Sequence, residues 1–354
     1  MAAGQTAPAP KPLMAEDVFK NVQVLKGMSV SEFMGTMGFF AASLDANCTH
    51  CHELGSWESY AKDNPSKQMA RQMLVMVNTI NRTYFGGRQE LTCYSCHRFG
   101  QKPKKVPSLT LQYSVPIEEE PEEIAAQAPG QPTPDQVLTK YFQALGGAQK
   151  VAAVASITAK GTWQGYEDTE QHPLELYAKS PGQRTVIVHN RSGDTVNTYD
   201  GRNAWTVAPE TDVPVTFLQL FGPELDNAKV DAELSFPARI KDSLTQLRVG
   251  GPITIGDSDV TVLQGLSAGN SPVKLFFDSD TGLLLRMVRY TDLKVGRIPT
   301  QFDYSDYRDV NGVKIPFHWV TTWTDGRSIT QLTDLQLNAT IDAAKFAKPK
   351  APSK

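Results

Sequence analysis

Two five-residue stretches, Cys48-Thr49-His50-Cys51-His52 and Cys93-Tyr94-Ser95-Cys96-His97, decide how the first third of this chain is organised. They contain all four cysteines of the 354 residues, and both have the pattern Cys-x-x-Cys-His. A helical pattern precedes each copy. The sequence therefore predicts an internal repeat of helix, loop and motif.

The two predicted helices are marked by caps and by apolar residues at three- and four-residue steps. The first is predicted to begin at Ser29, where the pattern Ser29-Val-Ser-Glu32 is typical of a capping box. The second begins after Asn64-Pro65, since proline is favoured in the first helical turn, and it ends at Gly86-Gly87. The apolar stripes are Val30, Phe33, Met34, Met37, Phe40, Ala41 and Leu44 in the first helix, and Met69, Met73, Met76, Val77, Ile80 and Tyr84 in the second.

The repeated motif is typical of covalent haem attachment, in which two thiols form thioethers to the porphyrin and the adjacent imidazole ligates the iron. The residues in these roles are Cys48, Cys51 and His52, and Cys93, Cys96 and His97. Three alternatives remain open: one tetrahedral zinc held by both cysteine pairs, a thioredoxin-like redox pair, and structural disulfides. A shared zinc leaves both histidines unexplained. We interpret His50 as a surface residue.

The sixth iron ligand distinguishes an electron carrier from an enzyme, because a methionine sulfur closes the site and raises the potential. Met34 and Met37 precede the first motif, and Met69, Met73 and Met76 precede the second. Methionine on an apolar helix face is more often core filler than ligand. Spacing alone does not choose among methionines one helical turn apart.

Charge and hydropathy exclude several classes of protein. The net charge is -3, so no basic excess exists to neutralise a phosphate backbone, and we expect no nucleic-acid partner. No apolar run approaches the roughly 18 residues of a membrane span.

The first ten residues lack the pattern of an export signal. Because covalent haem attachment requires export, we expect the signal to have been removed and the protein to be periplasmic or at the outer face of a membrane; a cytoplasmic protein with fortuitous motifs is the alternative.

A change of composition divides the chain. Residues 101–134 contain seven prolines around the acidic run 118–123, which predicts an extended, semi-rigid spacer. We therefore expect a dihaem domain over 16–100, a Pro/Glu-rich linker over 101–134 and a second domain over 135–349. The second domain begins with a short helix at 135–145 and continues with apolar or alternating runs that include 174–178, 185–189, 260–263, 273–277, 283–290 and 329–337.

Turn signals separate these runs, among them Asp200-Gly201, Asn311-Gly312 and Asp325-Gly326. Regular turns with few helices predict one large antiparallel sheet or partial barrel. The fold class is thus α+β, with a small helical domain followed by a large antiparallel sheet or partial barrel, which we call the half-barrel. No nucleophile with a neighbouring base and no metal-ligand cluster is visible in this part of the sequence.

The N-terminal block resembles the cytochrome c subunit of photosynthetic reaction centres over about residues 16 to 100. The stretches that carry the resemblance are 19–25, 31–37, 48–52, 70–81 and 92–97. The resemblance implies iron ligation by His52 and His97, with Met37 and Met73 as the sixth ligands. The second half of that family, with two more haem motifs, is absent here, and so is a loop histidine that serves one of the missing haems. The resemblance therefore implies a complete module with two covalently bound haems c.

The C-terminal block resembles the LolA/LolB-like fold of outer-membrane lipoprotein-sorting proteins. The matching stretches are 199–205, 277–284, 306–317 and 346–349. This resemblance implies a curved antiparallel sheet closed by helices around an apolar cavity. Trp163, Trp205, Phe217, Phe221, Phe276, Trp319 and Trp323 are candidates to line it, although they are more simply explained as core aromatics.

Three functional hypotheses follow. The first is an exported dihaem electron carrier, not an enzyme, that exchanges electrons with redox partner proteins and docks to a partner, a lipid or a membrane surface through its half-barrel. The second is a dihaem enzyme such as a peroxidase, which needs a displaceable sixth ligand. The third is a lipid or lipoprotein carrier with accessory haems. The candidate methionine ligands favour the first hypothesis over the second.

Overall fold

The computed structural model describes residues 10–112, 123–166, 168–211 and 213–351. Helices dominate the part before residue 113, and strands dominate the part after residue 155. Within the described residues the α-helices are α1 (Ala15–Val18), α2 (Val30–Leu44), α3 (Pro65–Tyr84), α4 (Cys93–His97), α5 (Leu109–Gln112), α6 (Pro134–Ala144), α7 (Ala148–Ala152), α8 (Gly222–Glu233) and α9 (Ile240–Ser243).

The strands all belong to one antiparallel sheet. They are β1 (Ser156–Gly165), β2 (His172–Lys179), β3 (Gln183–Asn190), β4 (Gly193–Tyr199), β5 (Ala204–Val207), β6 (Phe217–Leu220), β7 (Thr245–Val249), β8 (Ile253–Ile255), β9 (Ser258–Leu266), β10 (Pro272–Asp278), β11 (Leu284–Leu293), β12 (Gly296–Val310), β13 (Val313–Trp323) and β14 (Gly326–Leu337). Their order in the sheet is β6-β5-β4-β3-β2-β1-β14-β13-β12-β11-β10-β9-β7, and β8 pairs with β9. The predicted α+β class with a large antiparallel sheet is confirmed.

The sheet curves around helices that fill its concave side. Helix α8, which connects β6 to β7, contacts both β3 and β11, although six steps separate these strands in the sheet order. One helix can touch both strands only if the sheet bends around it. The core between helices and sheet includes Leu138, Tyr141, Leu263 and Phe277, each at most 4% exposed. The half-barrel therefore has a packed interior.

Polar contacts fix α8 to the sheet. Arg289 on β11 donates from Nε and Nη2 to the two carboxylate oxygens of Asp231, at 2.7 and 3.0 Å. Asn227 donates through Nδ2 to Thr291 Oγ1 at 2.6 Å. A two-pronged arginine–carboxylate pair holds its partners in one geometry, so it sets the position of the helix as well as contributing energy.

The predicted turns lie between strands. Asn311 and Gly312 have φ angles of 54° and 80° and connect β12 to β13, as expected for a tight hairpin. Asp200-Gly201 lies between β4 and β5. The third predicted turn, Asp325-Gly326, is displaced by one residue. The loop between β13 and β14 is Thr324-Asp325, and Gly326 is the first residue of β14. A side chain at Gly326 would collide with the ring of Trp323, which explains glycine there.

Helix α2 begins as predicted, but its capping box does not form. The Ser29 hydroxyl accepts the Glu32 amide at 3.1 Å. The Glu32 carboxylate instead accepts the backbone N–H of Lys294, at 2.9 Å. We call the helical part of the chain before residue 113 the helical block. Glu32, near the start of α2, thus bonds this block to the turn between β11 and β12.

That turn is inserted into the helical block. Leu293 and Val295 are 7% and 6% exposed, and they form one apolar cluster with Leu25, Phe39 and Leu74. The Lys294 ammonium donates to the carbonyl of Gly27, and its own carbonyl accepts from the side chain of Gln89. We call residues 293–296 the docking hairpin. The two halves of the chain share a hydrophobic cluster at this point.

The predicted spacer is only partly extended. Residues 118–122 of its acidic run lie outside the described residues, and α5 is a short helix in its first half, where residues 109–112 contain no proline. Its second half lies against the sheet: Ala125 exchanges two hydrogen bonds with the side chain of Gln264, at 3.1 and 3.0 Å. The Ala128 amide donates to the carbonyl of Val249 at 3.0 Å.

In the part of the chain that the structure describes, no helix is both long enough and apolar enough to cross a membrane.

Gly296 provides a direct test of the shared cluster. Its φ is 148°, and an added Cβ would lie 3.1 Å from both the Phe39 ring and Thr92 Cγ2. Gly296→Val should lower the free energy of unfolding by about 2–3 kcal/mol, because it overpacks a closed contact. Gly256→Val is the matched control, since Gly256 also has a positive φ but has no atom within 4 Å of its Cβ position. Equal losses for the two variants in denaturant titrations would show that the contact with the helical block contributes nothing.

Candidate haem-binding site

The first motif forms one helical turn. Residues Cys48–His50 are a 3-10 turn, and the His52 amide donates to the Cys48 carbonyl at 2.9 Å. Residues three and four positions apart lie on one side of such a turn. The fold therefore presents Cys48, Cys51 and His52 together, as thioether formation and axial ligation at one porphyrin require. His50 is exposed, as expected.

The orientation of His52 is fixed by its neighbours. Its Nδ1 lies 3.2 Å from the Tyr60 carbonyl, and its ring stacks on the Tyr60 ring with centroids 4.6 Å apart. A carbonyl only accepts, so Nδ1 carries the proton and Nε2 retains its lone pair. Burial, and secondarily the charge of Lys67, lower the pKa of His52. Both effects favour the neutral imidazole, which is the form that binds iron.

Asn64 connects this motif to α3. Its Oδ1 accepts the Lys67 amide at 3.0 Å and caps the helix, while its Nδ2 donates to the Cys51 carbonyl at 2.7 Å. The Lys67 ammonium donates to the carbonyls of Tyr60 and Lys62. The start of α3 thus holds both the first motif and the carbonyl that orients His52.

The second motif is the helix α4. Thr92 and Ser95 form a reciprocal capping box at its start. At its end, His97 Nδ1 lies 2.9 Å from the Gly100 carbonyl. By the same reasoning as for His52, the proton is on Nδ1 and the lone pair of Nε2 is available. The two histidines are presented in the same way on different scaffolds.

Asn81 performs at the end of α3 the role that Asn64 performs at its start. The Asn81 side chain is 4% exposed and exchanges two hydrogen bonds with the backbone of Leu91, at 2.7 and 3.0 Å. Leu91 lies two residues before the first cysteine of α4. Helix α3 therefore positions both motifs through one asparagine at each end.

No disulfide joins any two of the four cysteines, all of which lie in the described part of the chain. Burial raises the pKa of Cys93 to about 11 and also raises the pKa of Cys51. Redox-active pairs have lowered pKa values instead, so these surroundings do not favour the thioredoxin-like alternative. Among the described residues, no three His, Cys, Asp or Glu side chains come close enough together to hold a metal ion, and a zinc shared by the two pairs finds no support in this arrangement.

The methionines divide between two environments. Met37 is half-buried on α2 against the apolar cluster of the docking hairpin, which Cys93 and Tyr94 also contact. Met73 is half-buried on α3. Met69 and Met76 are 55% and 43% exposed. Their assignment as ligands or bystanders stays a prediction.

The stripe predicted on α3 is apolar but not buried by protein. Met69, Met76 and Tyr84 are exposed, Tyr84 by 76%, and the other three members of the stripe are half-buried. In the whole helix only Leu74 and Asn81 are buried. An apolar helix face beside two Cys-x-x-Cys-His turns suits contact with a flat, largely apolar macrocycle. Together with the oriented imidazoles, it shows that the residues present fit covalent haem.

The half-barrel offers a less convincing site. A cavity of about 340 Å³ opens between α6 and the end of β10, and its lining combines the apolar Val137 and Phe277 with the polar Lys140, Asp278 and Ser279. Of the predicted cavity aromatics, Trp205 and Phe276 are buried at 6% and 1% exposure, and Trp163 and Trp319 pack on the core. The interpretation of these residues as core aromatics is the better one.

Sequence reasoning missed the residues that orient the motifs. Tyr60 and Gly100 act through backbone carbonyls, which no side-chain pattern reveals. Asn64 was recognised as a helix start but not as a contact of Cys51. Asn81 carried a weak signal, as a polar residue one position after Ile80 in the apolar pattern.

Asn81→Ala tests whether α3 positions the second motif through Asn81. The change leaves the amide and carbonyl of Leu91 without partners and should cost about 2 kcal/mol of stability. It should also raise the fraction of chains that carry covalent haem at the first motif but not at the second. Mass spectrometry of proteolytic fragments measures that fraction. Asn78→Ala, at an exposed position one turn earlier, is the control. Identical stability and modification in the two variants would contradict the role assigned to Asn81.

Comparison with solved structures finds partial matches that cover about three fifths of this chain. A LolA superfamily protein from Nitrosomonas europaea is 13% identical, with 62% of this chain and 99% of that chain covered and a TM-score of 0.42. An outer membrane lipoprotein-sorting protein domain from Vibrio parahaemolyticus is 12% identical, with coverages of 60% and 97% and a TM-score of 0.40.

The sequence comparisons concern the N-terminal block. The model of the family described as "Photosynthetic reaction centre cytochrome C subunit" matches residues 2–157, which is less than half of the chain. Photosynthetic reaction center cytochrome c subunits from Thermochromatium tepidum and Rubrivivax gelatinosus are 38% and 34% identical over 94 and 97 residues. These alignments cover 25% and 26% of this chain, and 23% and 25% of the relatives, so the chain spans about a quarter of their length. The N-terminal block of this chain is thus similar to the cytochrome c subunit of photosynthetic reaction centres.

Proposed function

We propose that this protein is an exported c-type cytochrome with two haems that transfers electrons between redox partner proteins. Cys48 and Cys51 would hold one haem and Cys93 and Cys96 the other, with His52 and His97 as axial ligands. The haem irons, when bound, supply the one-electron chemistry. The protein positions them, controls their access to solvent and presents them to partners.

The observation that carries the proposal is the matched presentation of the two histidines. In each motif Nδ1 is engaged by a carbonyl a few residues downstream, Tyr60 in one case and Gly100 in the other. Ligating histidines usually donate their other N–H in this manner, which fixes both tautomer and ring orientation. A chance pair of cysteine motifs would have no reason to show it twice.

We propose Met37 and Met73 as the sixth ligands, from the resemblance of 31–37 and 70–81 to the reaction-centre subunits. Methionine ligation closes the iron to substrates and raises its potential, which suits electron transfer rather than peroxidase chemistry. Both side chains are half-buried, whereas Met69 and Met76 lie more in solvent. This difference supports Met73 over its neighbours on α3.

We further propose that 16–100 is the haem-binding domain, 101–134 the linker and 135–349 a platform that docks it to a partner, a lipid or a membrane surface. Export to the periplasm or the outer face of a membrane follows from the need to attach haem covalently. A lipid-carrier role is less well supported, because α8 and the apolar core occupy the concave side of the sheet.

Replacement of the two methionines tests the proposal. Met37→Leu and Met73→Leu conserve volume and apolarity, so the fold should survive. Each should remove one iron–sulfur bond, lower the potential of that haem and weaken the near-infrared charge-transfer band that His–Met ligation gives to the oxidised protein.

Met34→Leu, Met69→Leu and Met76→Leu are internal controls on the same two helices and should leave the band unchanged. Full intensity in both Met37→Leu and Met73→Leu would refute the ligand assignment. Absence of the band from the haem-loaded wild-type protein would favour the open-site enzyme.

A further inference from the structure

The segment that follows the second motif has an unusual charge. Residues 98–112 contain Arg98, Lys102, Lys104 and Lys105 and no acidic residue, although the whole chain has a net charge of -3. None of these four cations has an ion-pair partner among the described residues. Residues 101–110 are all exposed. We call residues 98–106 the basic loop.

The basic loop is folded against the second motif. The Lys104 amide donates to the Cys96 carbonyl at 3.0 Å, and the Gly100 carbonyl orients His97. Arg98 follows His97 directly and has a left-handed backbone with φ of 47°, which turns the chain back at the end of α4. The four charges are therefore held beside the residues that would carry the second haem.

The surroundings of the first motif differ. There charges of both signs occur together and form ion pairs, as in Lys62 with Glu53 at 2.7 Å and Arg71 with Asp63 at 2.8 Å. Trp57, which packs on Tyr60, donates to the Glu210 carbonyl of the half-barrel at 3.3 Å. The first motif contacts the half-barrel through Trp57, and the second does so through Cys93 and Tyr94. What distinguishes the second motif is the exposed positive surface beside it, which has no ion-pair partner among the described residues.

We propose that the basic loop is the docking surface for a negatively charged redox protein, which exchanges electrons with the chain at the second motif. The inference rests on the proposed function for its electron-transfer step. Phe99 and Val106 are 60% and 80% exposed within the loop, and they supply the apolar contacts that protein interfaces combine with a charged rim. Complementary charge accelerates encounter by about 10- to 1,000-fold at low ionic strength.

The test compares two carriers of opposite charge with the full-length protein. A flavodoxin serves as the acidic probe and a mitochondrial cytochrome c as the basic one. We expect the rate of electron exchange with flavodoxin to fall steeply as salt increases, since screening removes the attraction. If the net charge of -3 governed encounter instead, the basic carrier would show that behaviour and the proposal would be wrong.

The triple variant Lys102→Gln, Lys104→Gln, Lys105→Gln should slow exchange with flavodoxin by about tenfold at low salt. Its control carries Lys160→Gln, Lys179→Gln and Lys314→Gln, at exposed positions on the half-barrel, and changes the net charge by the same amount. Equal effects of the two triple variants would overturn the proposal.

Two further readouts separate the sources of failure. Binding of flavodoxin to the full-length protein, measured by isothermal titration calorimetry, does not depend on electron transfer. Binding that depends on the basic loop without any electron exchange would uphold docking while refuting the proposed electron transfer. Sedimentation with phosphatidylglycerol vesicles tests the other acidic surface. A basic-loop variant that loses vesicle binding but keeps its flavodoxin rate would assign the loop to a membrane and overturn the proposal.

Discussion

The packing of the docking hairpin into the helical block is the interaction on which the arrangement of this molecule depends. A block of about 85 residues with long exposed helix faces has a small core of its own. The half-barrel adds Leu293 and Val295 to that core. It also supplies the amide that engages the Glu32 carboxylate. The large sheet therefore supports the small helical block.

Helix α3 sets the relation between the two motifs. Asn64 holds the first motif at one end and Asn81 holds the segment before the second motif at the other, and the helix between them spans roughly 25 Å at 1.5 Å per residue. A hydrogen-bonded helix does not stretch, so the separation of the two attachment points is fixed. Much of the apolar face of this helix, including Met69 and Met76, stays exposed.

Local signals predicted much of this structure. The Ser29 and Asn64 caps gave the starts of α2 and α3, and the Asn311-Gly312 turn gave a hairpin, because each depends on residues adjacent in sequence. Contacts between distant residues left no such signal. The bond between Glu32 and Lys294 joins residues 262 positions apart, and nothing in the pattern Ser-x-x-Glu distinguishes a capping box from a contact across the molecule. The carbonyls of Tyr60 and Gly100 were equally invisible, since every residue has one.

The central claim is that both motifs carry covalent haem, and the mass of the denatured protein tests it most directly. The protein should be produced in a periplasm that contains haem-maturation machinery and then analysed intact after unfolding. The account predicts the mass of the polypeptide plus about 1.2 kDa, which corresponds to two thioether-linked haems. A denatured mass equal to that of the bare chain, with zinc recovered from the native protein, would contradict it.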